Sequence, residues 1–327
     1  MNRVRCKAAC AATAVLLAQA MVAPGISQSS PDEPATPPPV IASLGLPASE
    51  AGELGTAIDR KDYVSAEKLL LAEIAKDPHS AHTARLLDFA GSVYFLDHDY
   101  LNAAVAWKKS EAITPLEPTL QFSLAMAYVR MGHADWAQRQ LQQLAAAQPR
   151  NAILPYWLGR LAYDAHDYPG AIRHFQHAIA LAPQMARAYD NLGLCYYYQN
   201  QNQLAMDNFR KAIALDRNAP HPSAWPYLNL AITQQFLNQS AEAEANLREA
   251  IQLSPDFAQA HFHLGSLLEG NGQLKQAVEE FRKAAQLDAA YAEPHMALAR
   301  VYRKLGDAQA AKAEVATYLR LRAQSKK

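Results

Sequence analysis

Apolar and polar positions in this chain recur with the period of a helix, and they do so in pairs. Between Ala188 and Leu215, Leu192, Gly193 and Tyr196 fall on one face of a first segment, and Ala205, Phe209 and Ala212 on one face of a second. Spacings of three, four and seven residues bring side chains together on a helix and scatter them on a strand. The polar stretch Gln199–Gln203 separates the two segments. The pattern predicts two short amphipathic helices joined by a tight turn.

The same pair recurs along most of the chain. Ala103, Ala137, Ala171, Ala205, Ala243, Ala277 and Ala311 are spaced by 34, 34, 34, 38, 34 and 34 residues. Four residues after each stands a large apolar side chain: Trp107, Leu141, Phe175, Phe209, Leu247, Phe281 and Val315. The first helix carries a small residue with the same period, at Gly91, Ala125, Gly159, Gly193, Ala231, Gly265 and Ala299. Pro115, Pro149, Pro183 and Pro255 stand where a second helix must stop, because proline cannot continue it.

These residues resemble the tetratricopeptide repeat (TPR), a helix–turn–helix of about 34 residues with a leucine–glycine–tyrosine first helix and an alanine–phenylalanine second helix. The resemblance covers roughly Ala48 to Leu321. It implies an all-α repeat solenoid, a right-handed superhelix of about seven full repeats preceded by a degenerate one over Ala48–Pro78. The physics agrees. A lone helix pair cannot bury its apolar face, so each pair must stack on the next. Helix axes 8–10 Å apart require Gly or Ala at the contact.

The ends read differently. Arg3, Arg5 and Lys7 precede an apolar run, Ala8–Ala23, and Ala18-Gln19-Ala20 offers a small-x-small cleavage site. Residues 1–20 are therefore expected to be a signal peptide, with an uncleaved anchor as the minority reading. Cys10 follows Lys7-Ala8-Ala9, which is not the setting of a bacterial lipoprotein cysteine. Export to the periplasm or the extracellular space follows. Residues 21–47, rich in Pro, Ser, Ala and Thr, are expected to be a disordered linker, 48–321 the solenoid, and 322–327 a basic polar tail. Loss of the leader leaves Cys195 as the one cysteine, so no intrachain disulfide is expected and a buried, inert thiol is.

Acidic and basic residues number 31 each, and loss of the leader removes three basic ones. A mildly acidic chain is not the electrostatic partner of a polyanion, so no nucleic acid is expected to bind. Phosphate loops, dinucleotide fingerprints and nucleophile elbows are absent. His174 with His177, and His261 with His263, lack neighbouring ligands that would make a zinc site. The expectation is a protein without catalysis, cofactor or metal, and without an integral membrane span once the leader is removed.

The resemblance further implies a concave groove lined by first helices and able to hold protein or peptide segments. Phe95, Phe122, Tyr156, Tyr163, Tyr197, Tyr198, Trp225, Phe236 and Phe262 flank its core positions, with Arg160, Arg187 and Arg300 among them. Aromatic and arginine side chains dominate binding hot spots. Tyr197, Tyr198 and Trp225 are expected to border one concavity, beside a four-residue insertion within Arg217–Ser223. The carboxylate clamp of some TPR adaptors is absent, since Asp88, Ser92, Phe122 and Met126 occupy its places. An asparagine ladder is matched at Asn191 and Asn229 but interrupted by Trp157 and His263. The function expected is a peptide-binding scaffold in the cell envelope. The alternative is a structural, self-assembling or tethering part of an envelope complex; a distant one is an enzyme with its site in the groove.

Overall fold

The computed structural model describes residues 41–324. The expected leader, the linker up to residue 40 and the last three residues of the tail lie outside them. The chain forms two compact units that divide after Ala165. Among the described residues all regular structure is helical.

The first unit opens with a 3₁₀ turn, Ile41–Leu44, followed by α1 (Ala48–Asp59), α2 (Tyr63–Ile74), α3 (Ala81–Leu96), α4 (Tyr100–Glu111), α5 (Pro118–Arg130), α6 (Ala134–Ala147) and α7 (Ile153–Asp164). Each helix packs on the next. The end of the expected linker is part of this unit's core: Leu44 is buried with Leu54, Leu70 and Leu86, and Ile41 and Leu46 pack against them. Three apolar side chains within six residues outweigh the proline-rich composition upstream. In the α3/α4 hairpin Trp107 Nε1 donates to the carbonyl of Asp88 (3.1 Å) and Ser110 Oγ to that of Ala84 (3.1 Å).

The second unit contains α8 (Tyr168–Leu181), α9 (Ala186–Tyr198), α10 (Asn202–Asp216), α11 (Trp225–Phe236), α12 (Ser240–Leu253), α13 (Ala258–Gly270), α14 (Leu274–Leu287), α15 (Glu293–Lys304) and α16 (Ala308–Gln324). Helix α16 runs through residues 322–324, so the tail expected from 322 begins as helix. The alanines of the 34-residue ladder are buried in both units, and Trp107, Leu141, Phe175, Phe209, Leu247 and Phe281 are fully enclosed. Val315 on α16 is half-buried. Successive hairpins repeat a polar latch. His261 Nδ1 lies 2.6 Å from Glu280 Oε2, and 34 residues on, His295 Nδ1 lies 2.6 Å from Glu314 Oε2.

The turns share the register of the alanine ladder. His98, Gly132, His166, Asn200, Asn238, Gly272 and Gly306 all have positive φ, as does Lys61 in the degenerate repeat. The glycines and asparagines were legible as turn residues because they tolerate left-handed backbone. The two histidines and Lys61 were not. Each of these three precedes an aspartate, Asp62, Asp99 or Asp167, whose carboxylate accepts from a backbone N–H three residues on and caps the second helix. That cap offsets the strain of a non-glycine residue at positive φ.

The four-residue insertion lies between α10 and α11. The Ser223 N–H donates to Asp216 Oδ2 at 2.5 Å, closing the loop on the end of α10. Beside it, α10, α11 and α12 enclose an open groove of about 440 Å³, lined by Arg210, Ile213, Arg217, Tyr227, Gln234 and Asn246 among others.

Candidate functional site: the first-helix face of the second unit

In the second unit the first helices of successive hairpins touch in order, α9 on α11, α11 on α13 and α13 on α15. They make one face, and each junction is latched by polar groups. Asn229 Nδ2 donates to Asp190 Oδ1 (3.0 Å) between α9 and α11, and Gln235 Nε2 to the His263 carbonyl (3.2 Å) between α11 and α13. Between α13 and α15, Arg300 Nε and Lys304 Nζ both donate to Glu269 Oε1, each at 2.8 Å. The asparagines read as a broken ladder thus have internal work: Asn229 joins two helices, and Asn191 Nδ2 donates to the Arg187 carbonyl one turn back (2.8 Å).

The expected groove aromatics divide. Phe236, the last residue of α11, is 56% exposed and available to a partner. Phe262 is half-buried, its ring 5.7 Å from Phe281 and 5.3 Å from Tyr291. Tyr197 is half-buried and edge-on to Tyr198 at 5.6 Å. Tyr198 departs from expectation, for it stacks in parallel on Tyr168 at 5.1 Å. Antiparallel α8 and α9 bring the first residue of one beside the last of the other, and the two rings seal that end. Trp225 also departs: it packs edge-on against Phe257 at 4.6 Å, joining the N-terminal ends of α11 and α13. Arg187 is half-buried at the start of α9.

In the first unit, Phe122, Tyr156 and Tyr163 are 9%, 3% and 4% exposed and present no open ring. Phe95 packs within its own hairpin, 5.3 Å from Tyr100 and 5.9 Å from Trp107. The period places such residues beside the core positions, but where helices approach closely the same positions become part of the core. Burial works against the charge of Arg160, yet Tyr156 and Asp164 beside it raise its pKa and keep it charged. Its Nε and Trp157 Nε1 are buried without a hydrogen-bond partner among the described residues.

Glu269 was not anticipated, because a single carboxylate at a helix end carries no local signal. Its signal is in the repeat: Glu269 occupies the position that Arg303 holds 34 residues later. Burial works against the charge of this carboxylate, but Arg300 and Lys304 outweigh it and hold the pKa below the usual range. Six residues earlier, burial pushes the imidazole of His263 down to about 4. His263 is therefore a neutral side chain on this face at physiological pH. Among the described residues no three His, Cys, Asp or Glu side chains gather to hold a metal ion.

Cys195 is enclosed on α9, and burial pushes its thiol up to about 12. Since the thiolate is the reactive form, Cys195 is expected to resist a thiol reagent at neutral pH in the folded protein and to react once the chain is denatured. Peptide mapping separates it from Cys6 and Cys10. Rapid labelling of Cys195 in the native protein would contradict the packing of α9.

Tetratricopeptide repeat models match residues 151–218, 184–256 and 228–292. The lipoprotein NlpI homolog of Haemophilus influenzae is 30% identical over 172 residues, 51% of this chain and 52% of that protein. A DnaJ homolog subfamily C member 7 homolog of Dictyostelium discoideum is 23% identical over 181 residues, 52% of this chain and 34% of its own. The chain thus spans about half, or less, of the length of the curated relatives it matches. Among solved structures, a tetratricopeptide repeat protein from Parabacteroides merdae superposes with TM-score 0.62 at 17% identity, covering 77% of this chain and 97% of that one. PilW, a type IV pilus biogenesis factor, superposes with TM-score 0.56 at 25% identity, covering 61% and 90%. Repeat models over residues 151–292, the fold shared with the structural neighbours, the buried alanine ladder and the in-register turns agree: the chain carries tetratricopeptide repeats.

Proposed function

We propose that this protein is a non-catalytic adaptor that holds a segment of another protein against the face built by α9, α11, α13 and α15. The observation that carries the reading is the continuity of that face: three polar latches join four first helices while Phe236 stays open to solvent. A face fixed in this way loses little conformational entropy on binding, and its exposed aromatic supplies the area of an anchor. We place the protein in the cell envelope. The basic, apolar and small-residue pattern of residues 1–20 supports this, as do the likenesses to a lipoprotein and to a pilus biogenesis factor. No helix among the described residues is long and apolar enough to cross a membrane.

The second reading, self-assembly or tethering through the end of the array, is favoured by one observation: Leu319 on α16 is 60% exposed. Affinity capture from the native host separates the two. Phe236→Ala is expected to weaken binding of captured partners by about 2 kcal/mol with helical circular dichroism unchanged, while Leu319→Ala leaves capture intact. Capture unaffected by Phe236→Ala and abolished by Leu319→Ala would move the working surface to α16.

A further inference from the structure

From α11 onward, charge on the first-helix face of the second unit is distributed in steps; α9 before it carries one charge of each sign, Arg187 and Asp190. Helix α11 carries no charged side chain. Helix α13 carries only Glu269, whose side chain is 5% exposed. The last turn and a half of α15 carries Arg300, Arg303 and Lys304. One buried carboxylate is paired with two of these three cations. Arg300 gives Nε–H and one Nη2 proton to Glu269, and Lys304 gives one ammonium proton. Arg303 gives its Nε–H to the Ala299 carbonyl one turn back.

A guanidinium has five N–H donors and an ammonium three, so each of the three cations keeps donors to spare. The side chains of Arg300 and Lys304 are each 49% exposed, and Arg303 is exposed. Residues 300, 303 and 304 share one side of a helix because three- and four-residue steps nearly complete a turn. Glu269 fixes two of the cations in place without neutralising the group. A helix C-terminus favours cations by itself, but that accounts neither for a carboxylate spent on positioning two of them nor for the uncharged helix two places away.

We infer that the bound segment is chemically polar along its length: uncharged and apolar where it crosses α11 at Phe236, and acidic where it reaches α15. The inference rests on the first-helix face being the binding surface. The acidic groups are side-chain carboxylates, which meet Arg300, Arg303 and Lys304 through charge-assisted hydrogen bonds. No terminal carboxylate is required. The α15 cations also set direction, since a segment laid in reverse places its acids over the uncharged α11.

The test is retention from a random peptide library, acetylated and amidated at its ends, on the immobilised full chain. Among retained sequences, those with Glu or Asp at one end are expected to bind about tenfold tighter than their Gln or Asn counterparts, the size of one charge-assisted contact. The preference should shrink with added salt. Arg303→Gln is the variant of choice, since Arg303 takes no part in the Glu269 pairs and hydrogen-bonds only within its own helix; it should remove most of the preference. Lys304→Gln should do the same, with circular dichroism confirming the fold. Phe236→Ala should weaken acidic and amide peptides alike. Equal affinity for both, with both sensitive to Phe236→Ala, would overturn the acidic preference and leave the binding face standing. Retention indifferent to Phe236→Ala, or no retained peptide, would remove the binding face and the inference with it. Displacement of retained peptides by a single-stranded oligonucleotide at matched charge would overturn the assignment to an acidic protein segment.

Discussion

Phe281→Ala is expected to cost the second unit about 3–5 kcal/mol. Phe281 is fully enclosed on α14, within a cluster that includes Leu247, Leu264, Leu268, Ala277, Leu298 and Val301. It touches the first helix of its own hairpin and lies under the first helix of the next, so truncation opens a cavity between two repeats. A cavity costs more than the lost transfer energy because close-packed neighbours relax only partly. Phe236→Ala removes the same atoms from an exposed site and should change stability by about 0.5 kcal/mol or less. Denaturant unfolding followed by circular dichroism compares the two. Comparable midpoints would mean that the second-helix phenylalanine is not what joins neighbouring repeats.

The second large effect reverses a common expectation, that glycine in a helix is a weakness. Gly193→Ala is expected to destabilise by about 1–3 kcal/mol. A methyl group on Gly193 would meet Phe209 Cε1 at 2.5 Å and the Ala205 carbonyl oxygen at 3.1 Å. The ring is enclosed and the carbonyl is backbone, so neither gives way cheaply. Gly91 and Gly265 stand in the same relation to Trp107 and Phe281. Gly52, on α1, has no neighbouring atom within 4 Å of such a methyl. There Gly52→Ala should stabilise by about 0.5–1 kcal/mol through the lower entropy of the unfolded chain. Melting curves of the two variants should move in opposite directions. Movement in the same direction would contradict the close approach of the paired helices.

A binding face of this kind tolerates such changes unevenly. Phe236 and Arg303 hold nothing else together, so they are open to functional substitution. Glu269, Asn229 and Gln235 hold the face itself, so changes there should alter binding by moving helices rather than by losing contacts.

What the sequence determined by itself was everything tied to the repeat. The alanine ladder, the paired small and large residues, the glycine and asparagine turns and the one long spacing define hairpins whose contacts are local and recur, so a period read along the chain is also a contact read in space. The tertiary structure decided which side chains on those hairpins remain free. Tyr198 and Phe236 occupy the same repeat position, one stacked on Tyr168 and the other open, because only the first meets a ring at the start of the preceding helix. Leu44 joined a core that composition had assigned to a linker, and His98 and His166 took left-handed turns that an adjacent aspartate makes tolerable. The charge step from α11 to α15 was visible residue by residue. Its meaning came only when Glu269 was found buried between Arg300 and Lys304, since pairing across repeats depends on how closely neighbouring first helices approach, and periodicity does not encode that distance.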